Sequence, residues 1–201
     1  MYFVQTPYII QKLFSGIIWK FPDATNTVYL TFDDGPHPEI TPWLLALLKN
    51  YHAKATFFCL GKNAEKYPAL LQQILNEGHS IGNHSHMHLD GWKTKNEDYR
   101  NDINMANQTL KSNLFRPPYG RIKPSQVSQL SASYKVINWS LMPGDFDESI
   151  TSSQCFRNLQ KAQSGDIIVL HENDKSRKHL EYSLPEFLKQ NNKFIFDKIN
   201  F

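Results

Sequence analysis

The stretch 30-LTFDDGPHP-38 ends an apolar, strand-like run on two adjacent aspartates, Asp33 and Asp34, and continues at once into a Gly-Pro turn. Acidic residues are depleted in strands. Neighbouring carboxylates also repel each other unless a positive charge lies beside them. The pair therefore indicates a cation, either a metal ion or a basic side chain, at the point where this strand leaves the core.

The rest of the chain alternates strand-like runs with helix-like stretches. The strand-like runs cover residues 28–32, 55–60, 80–82, 113–116, 134–139, 166–171 and 193–196. The helix-like stretches between them cover residues 41–51, 63–78, 96–111, 123–132, 151–163 and 180–190. Such alternation favours an α/β fold with a parallel sheet and right-handed crossovers, either open or closed into a barrel.

Length and composition favour one domain. The chain has 201 residues, of which 40% are hydrophobic. We expect a single domain over residues 1–201, with a core of about 27–197 and an N-terminal extension, 1–26, that forms an amphipathic segment or a short edge strand. The net charge of +3 is scattered, so no nucleic-acid partner is predicted. Cys59 and Cys155 form no CxxC pair, and nothing in the sequence requires an oxidising compartment.

The N-terminal residues 1–22 lack the basic region of a signal peptide, and polar residues and Pro7 interrupt their apolar residues. No run of about 18 apolar residues predicts a transmembrane span. The default expectation is a cytoplasmic protein, with association with the cell envelope as the alternative. The sequence does not predict the oligomeric state.

Chemically active side chains follow five of the predicted strands. In parallel α/β folds, functional groups collect at the carboxyl ends of the strands. The residues at these ends are Asp33 and Asp34, His84 and His88, Arg116 and Tyr119, Asp145, and His171. A purely structural protein has little reason to collect such groups at one edge of a sheet, so the pattern predicts an enzyme.

The segment 82-GNHSHMHLD-90 has three histidines within five residues. The spacing of His84 and His88 is a weak metal signal by itself. Together with one carboxylate of the aspartate pair, however, the two imidazoles form a three-ligand set that leaves a coordination position for water on Zn²⁺. Co²⁺, Ni²⁺ and Mn²⁺ accept the same donors. We expect His86 to be a wall or supporting residue.

Two further strand-end residues have two interpretations each. Arg116, in 115-FRPPYG-120, is either a surface arginine at a rigid turn or the partner of a carboxylate whose pKa it lowers. His171, in 169-VLHEN-173, is either a core or rim histidine or a member of the site. The metal candidates on neighbouring strands favour the functional interpretation of both.

Taken together, the motifs resemble those of the polysaccharide deacetylases with a NodB homology domain, carbohydrate esterase family four. TFDDGP (31–36), HSHMH (84–88), RPPY (116–119) and the pair Leu170–His171 match family motifs in order, within a likeness that spans about 27–173. The resemblance implies an irregular (β/α) barrel of about seven parallel strands. It also implies a metal-dependent hydrolase that removes N-acetyl groups from a glycan containing N-acetylglucosamine, such as peptidoglycan or a chitooligosaccharide.

The resemblance also implies a role for each site residue. Asp34, His84 and His88 would bind a divalent metal, most readily zinc, and Asp33 would act as general base beside Arg116. His171 would be the general acid, and the backbone N–H of Tyr119 would stabilise the oxyanion. Apart from the resemblance, three apolar or aromatic residues near these strand ends are candidates to hold the acetyl methyl group and the sugar face, or belong to ordinary barrel packing: Trp139, Leu170 and Tyr119.

The fourth family motif, usually an aspartate followed by tryptophan, is altered in this chain. Asp145 is followed by Phe146 and is the best match as the partner of His171, while Asp147 is the alternative. Glu172 stands where many family members have aspartate, and we assign it no role.

Three other functions compete with N-deacetylation. The same residues suit an O-deacetylase of acetylated xylan or a hydrolase of a small amide or imide, and a catalytically silent carbohydrate-binding module would bind sugar without metal. Substrate selectivity is expected in the loops 88–98 and 172–179. The basic residues of the second loop form either a solvated face or a contact for an anionic glycan; they are Lys175, Arg177, Lys178 and His179.

Overall fold

The computed structural model describes residues 2–201. Its seven strands lie at the seven predicted places: β1 Thr27–Asp33, β2 Ala55–Cys59, β3 Ser80–Asn83, β4 Leu114–Phe115, β5 Lys135–Val136, β6 Ile167–His171 and β7 Ile195–Phe196. All the strand pairs are parallel, in the order β5-β4-β3-β2-β1-β6, and β7 pairs with the first residues of β1. The predicted α/β fold with a parallel sheet is confirmed.

The sheet is curled, and residues beyond β5 link it to the opposite edge. Leu141 forms a parallel bridge with Ile168 of β6, and Ile137 forms one with Ile18 of the N-terminal extension. β4 ends at Phe115, earlier than the predicted 113–116, because Pro117 and Pro118 have no N–H groups with which to continue the ladder. The short strands and these bridges give the sheet its irregular, half-barrel form.

Within residues 2–201, eight α-helices accompany the sheet: α1 Tyr8–Leu13, α2 Ile40–Asn50, α3 Gly61–Lys66, α4 Pro68–Asn76, α5 Asn96–Leu110, α6 Pro124–Leu130, α7 Ser152–Leu159 and α8 Asp174–Gln190. The stretch 63–78, expected as one helix, contains two. Proline disfavours helical geometry in the residue before it, and Tyr67 accordingly has φ −126° and ψ 57°. Pro68 then starts α4, where its missing N–H has no cost.

The N-terminal extension contacts the sheet through isolated bridges and contains one short helix, and the predicted amphipathic character of this segment stays a prediction. Gln5 forms an antiparallel bridge with Leu141, while α1 is a short helix with no buried residue. No helix within residues 2–201 has the length and apolar character needed to cross a membrane. The main apolar core lies between the faces of the central strands and helices α2 and α8. The carboxyl ends of the strands lie at the edge of this core, where polar side chains are found.

Candidate active site

Asp33, the last residue of β1, forms a buried ion pair with Arg116. Nη1 of Arg116 donates to Oδ1 of Asp33 at 2.7 Å and to Oγ1 of Thr31 at 2.6 Å. Nη2 and Nε donate to the carbonyls of Asn138 and Ile137, at 3.1 and 3.3 Å. Arg116 is fully buried, so the interpretation as a surface arginine is wrong. Because Oδ1 is engaged, Oδ2 is the oxygen of Asp33 that remains for chemistry.

Asp34, His84 and His88 bring their ligand atoms together. One ligand atom from each residue lies within 4.8 Å of the other two, and Oδ1 of Asp34 is 3.3 Å from Nε2 of His88 and 3.8 Å from Nε2 of His84. Ligands placed tetrahedrally at about 2.1 Å from one ion lie about 3.4 Å apart. The three residues therefore fit a divalent metal after small adjustments.

The protonation of these groups also suits a cation. The three nearby histidines, His171, His84 and His88, and a hydrogen bond from Asn173 outweigh the effect of burial and lower the pKa of Asp34, so its carboxylate is ionised. Burial and the neighbouring His84 lower the pKa of His88 to about 4, so its imidazole is neutral. Nδ1–H of His84 donates to the carbonyl of Arg116 at 2.8 Å, which leaves Nε2 facing the aspartate pair, 3.8 Å from Oδ2 of Asp33 and from Oδ1 of Asp34.

The two histidines project from a loop after β3 and not from a helical turn. Ser85 and His88 have positive φ values of 67° and 63°, so side-chain hydrogen bonds must hold this loop in place. Asn83 accepts from the N–H of Ser85 at 2.8 Å, and Asp102 on α5 accepts from the N–H of His86 at 2.9 Å. The side chain of His86 packs against α3, with Nδ1 3.9 Å from Oε1 of Glu65 and close to Gly61, and its role as a wall residue stays a prediction.

Asp145 and His171 form a second acid–base pair. Oδ1 of Asp145 lies 3.0 Å from Nδ1 of His171, and Oδ2 accepts from the backbone N–H of His171 at 2.7 Å. Burial alone lowers the pKa of His171, but Asp145, with smaller effects from Asp34 and Asp33, raises it to about 9. The imidazole is 18% exposed, so Nε2 is the atom left to face a substrate. Asp147, the alternative partner, instead accepts from Ser149.

The remaining predicted residues surround these groups. Tyr119 lies at the rim, with its ring centroid 4.5 Å from that of His88. Trp139 packs beneath the turn that carries Tyr119: a Cβ on Gly120 would lie 2.7 Å from its ring. Leu170 is fully buried in the main core, and Phe146 packs edge-on against the His171 ring at 5.1 Å.

Three supporting residues were missed by the sequence analysis. Asn173 caps α8 and donates from Nδ2 to Oδ2 of Asp34 at 2.8 Å, Asp102 holds the histidine loop, and Thr31 shares Nη1 of Arg116 with Asp33. α8 begins at Asp174, earlier than the predicted 180–190, and this puts the Asn173 cap beside the aspartate pair. An Asn-x-x-Ser start signal at residues 173–176 was the only available hint.

Comparison with known proteins identifies the family. The sequence profile of the family described as polysaccharide deacetylase matches residues 21–136, more than half of the chain. The chain belongs to the polysaccharide deacetylase family. The predicted resemblance and the assignment as a hydrolase are thereby confirmed. The matched part of the chain includes Asp33, Asp34 and Arg116, whereas Asp145 and His171 lie beyond it.

Two curated relatives and one solved structure are similar over most of the chain. A peptidoglycan-N-acetylglucosamine deacetylase of Bacillus cereus is 36% identical in an alignment of length 191, which covers 89% of this chain and 90% of the relative. A chitooligosaccharide deacetylase of Azorhizobium caulinodans is 32% identical in an alignment of length 155, which covers 73% of this chain and 74% of the relative. The crystal structure of a peptidoglycan N-acetylglucosamine deacetylase in complex with 4-naphthalen-1-yl-N-oxidanyl-benzamide superposes with a TM-score of 0.81 and 31% identity over 94% of both chains.

Proposed function

We propose that the chain removes N-acetyl groups from a glycan containing N-acetylglucosamine, with the help of a divalent metal. One observation carries this proposal: the Asp34, His84 and His88 triad lies beside two acid–base groups, each of which is held by its own buried partner. The names of the relatives, which are deacetylases of peptidoglycan N-acetylglucosamine and of chitooligosaccharides, support this substrate class.

Different groups of the site have different roles in the proposed reaction. A divalent cation, when bound, supplies Lewis acidity that polarises a carbonyl and eases the deprotonation of water. Oδ2 of Asp33 accepts the proton of the water that attacks the acetyl carbon, while Arg116 fixes the direction of Oδ1. Nε2–H of His171 donates a proton to the leaving amine, and the N–H of Tyr119 donates to the developing oxyanion. The products are acetate and a free amino sugar.

We expect acetate release to require the metal. Chelator-stripped protein should release less than about a tenth of the acetate that the loaded protein releases from N-acetylglucosamine oligomers, and Zn²⁺ or Co²⁺ should restore it. Metal content, measured separately, should be one ion per chain. Asp34→Asn, which keeps the shape of the side chain and removes its charge, should bind the ion at least about tenfold more weakly.

Undiminished release by stripped protein would contradict the metal dependence. Release from acetylated xylan or from a small amide in place of the oligomers would favour one of the competing hydrolase functions. Binding of oligomers with no release from any substrate, with metal bound, would favour a carbohydrate-binding module.

The pH dependence of kcat/KM should reflect the protonation of His171, which Asp145 stabilises. His171 has a pKa raised to about 9, so its imidazolium is available below that pH and is lost as the pH rises through it. The Asp145→Asn variant lacks the negative charge that contributes most to raising the pKa of His171, while burial continues to lower it. The pKa of His171 should therefore fall toward its ordinary value of 6.5. The basic limb of the kcat/KM profile should therefore move to lower pH by about two units.

Asp147→Asn is the matched control, because Asp147 is two residues away and does not contact His171. The basic limb of its kcat/KM profile should lie at the same pH as in the wild type. Identical pH profiles for wild type and Asp145→Asn, measured on the same oligomer, would contradict the assignment of His171 as general acid.

A further inference from the structure

An exposed row of side chains leads away from the metal-binding histidines. Tyr119 is 58% exposed and Trp92 is 60% exposed, although both are large aromatic residues. The guanidinium of Arg121 lies between them, 5.6 Å from the Tyr119 ring and 5.3 Å from the Trp92 ring. Because Tyr119 also contacts the His88 ring at 4.5 Å, the row is continuous with the candidate active site.

The row is held rigidly in spite of its exposure. The indole N–H of Trp92 donates to the carbonyl of Ile122 at 3.3 Å, and the backbone N–H of Trp92 donates to Oδ1 of Asp90 at 3.0 Å. Oδ2 of the same carboxylate accepts from Nη1 of Arg121 at 2.7 Å. A Cβ at Gly91 would lie 2.4 Å from the carbonyl oxygen of Arg121, so only glycine permits this close approach of the two loops.

The chemistry of the row indicates its ligand. Exposed Trp and Tyr rings combine apolar faces with polar edges and contribute strongly at binding surfaces. A pyranose ring is their complement, since it has C–H groups on its faces and hydroxyl groups around its edge. The Arg121 charge is already paired with Asp90, so the row has no free charge with which to select an anionic ligand.

We propose that Trp92, Arg121 and Tyr119 form a subsite for a neutral sugar unit of the glycan, next to the unit that is deacetylated. This inference rests on the proposed function, because the row can bind a neighbouring sugar unit only if a glycan binds at the aspartates and histidines. The subsite makes the enzyme prefer chains of several sugar units over short ones. Trp92 is the residue on which that preference depends most, because it lies farthest along the row from His88.

Binding of N-acetylglucosamine oligomers of two to six units tests the subsite. Calorimetry on Asp33→Asn protein avoids turnover during the measurement. Adding Trp92→Ala should weaken binding of the longest oligomer about tenfold, equivalent to about 1.4 kcal/mol, with a much smaller effect on the dimer. Trp92→Phe should restore most of the affinity, since an aromatic face remains. In otherwise unmodified enzyme, Trp92→Ala should raise KM for long oligomers more than it lowers kcat.

Tyr182→Ala is the matched control, because Tyr182 is 51% exposed on α8 and takes no part in the row. It should bind all oligomers as the parent protein does. Equal affinity of Trp92→Ala and its parent for every oligomer, or no oligomer binding by the parent, would overturn the subsite. Trp92-dependent binding by a wild-type protein that releases no acetate would support the subsite and contradict the proposed function. Binding of a peptide but not of a sugar chain would assign the row to a protein partner and overturn the inference.

Discussion

Replacing Asp33 by asparagine should lower kcat for acetate release by about 10²–10⁴-fold. The amide occupies the same space and can still accept a hydrogen bond from Nη1 of Arg116, so the local geometry is retained. It cannot accept a proton at neutral pH, however, and the attacking water then loses its base. Acetate release from N-acetylglucosamine oligomers at saturating metal and substrate measures the effect.

The metal content of Asp33→Asn separates its role from that of Asp34. Asp33 lies outside the three-ligand group, so the variant should still bind one ion, whereas Asp34→Asn should not bind it tightly. More than about a tenth of the wild-type kcat in metal-loaded Asp33→Asn would contradict the base assignment. Loss of the ion from both variants would instead show that the two aspartates share the metal.

The sequence was sufficient to group the residues of the candidate site because of the geometry of parallel sheets. Their strands all end at one edge, so Asp33, His84, Arg116 and His171 could be grouped from strand-end positions alone. The alternation of apolar runs also found all seven strands, because every run contains residues that are buried in the fold.

Contacts that depend on tertiary position were not predictable. Asn173 has the appearance of an ordinary loop residue, and only the pairing of β6 with β1, which sets His171 beside Asp33, brings it to Asp34. Asp102 is one of several polar residues in α5, and nothing local indicates that it accepts hydrogen bonds from the histidine loop. The choice between Asp145 and Asp147 also required the structure, because two residues of separation in an irregular segment do not determine which carboxylate meets His171.

Replacing Arg116 by methionine should lower the free energy of unfolding by about 3–5 kcal/mol. Methionine keeps much of the apolar length of the side chain but removes every donor. The carboxylate of Asp33, which is 3% exposed, then lacks its charged partner, and the carbonyls of Ile137 and Asn138 lose their hydrogen bonds. A stability of about 5–15 kcal/mol is typical of such domains, so the loss is a large part of the total. Urea unfolding followed by circular dichroism measures it.

The double variant Arg116→Met with Asp33→Asn tests whether the buried charge is the cause. If the cost is the unpaired carboxylate, then neutralising it should recover at least about 1 kcal/mol relative to Arg116→Met alone, although one more side chain has been changed. Arg121→Met is the control: it removes an ion pair with Asp90 that is 42% exposed on the arginine side, and it should cost less than about 1 kcal/mol. Equal costs for Arg116→Met and Arg121→Met would mean that the ion pair orients Asp33 without supporting the fold.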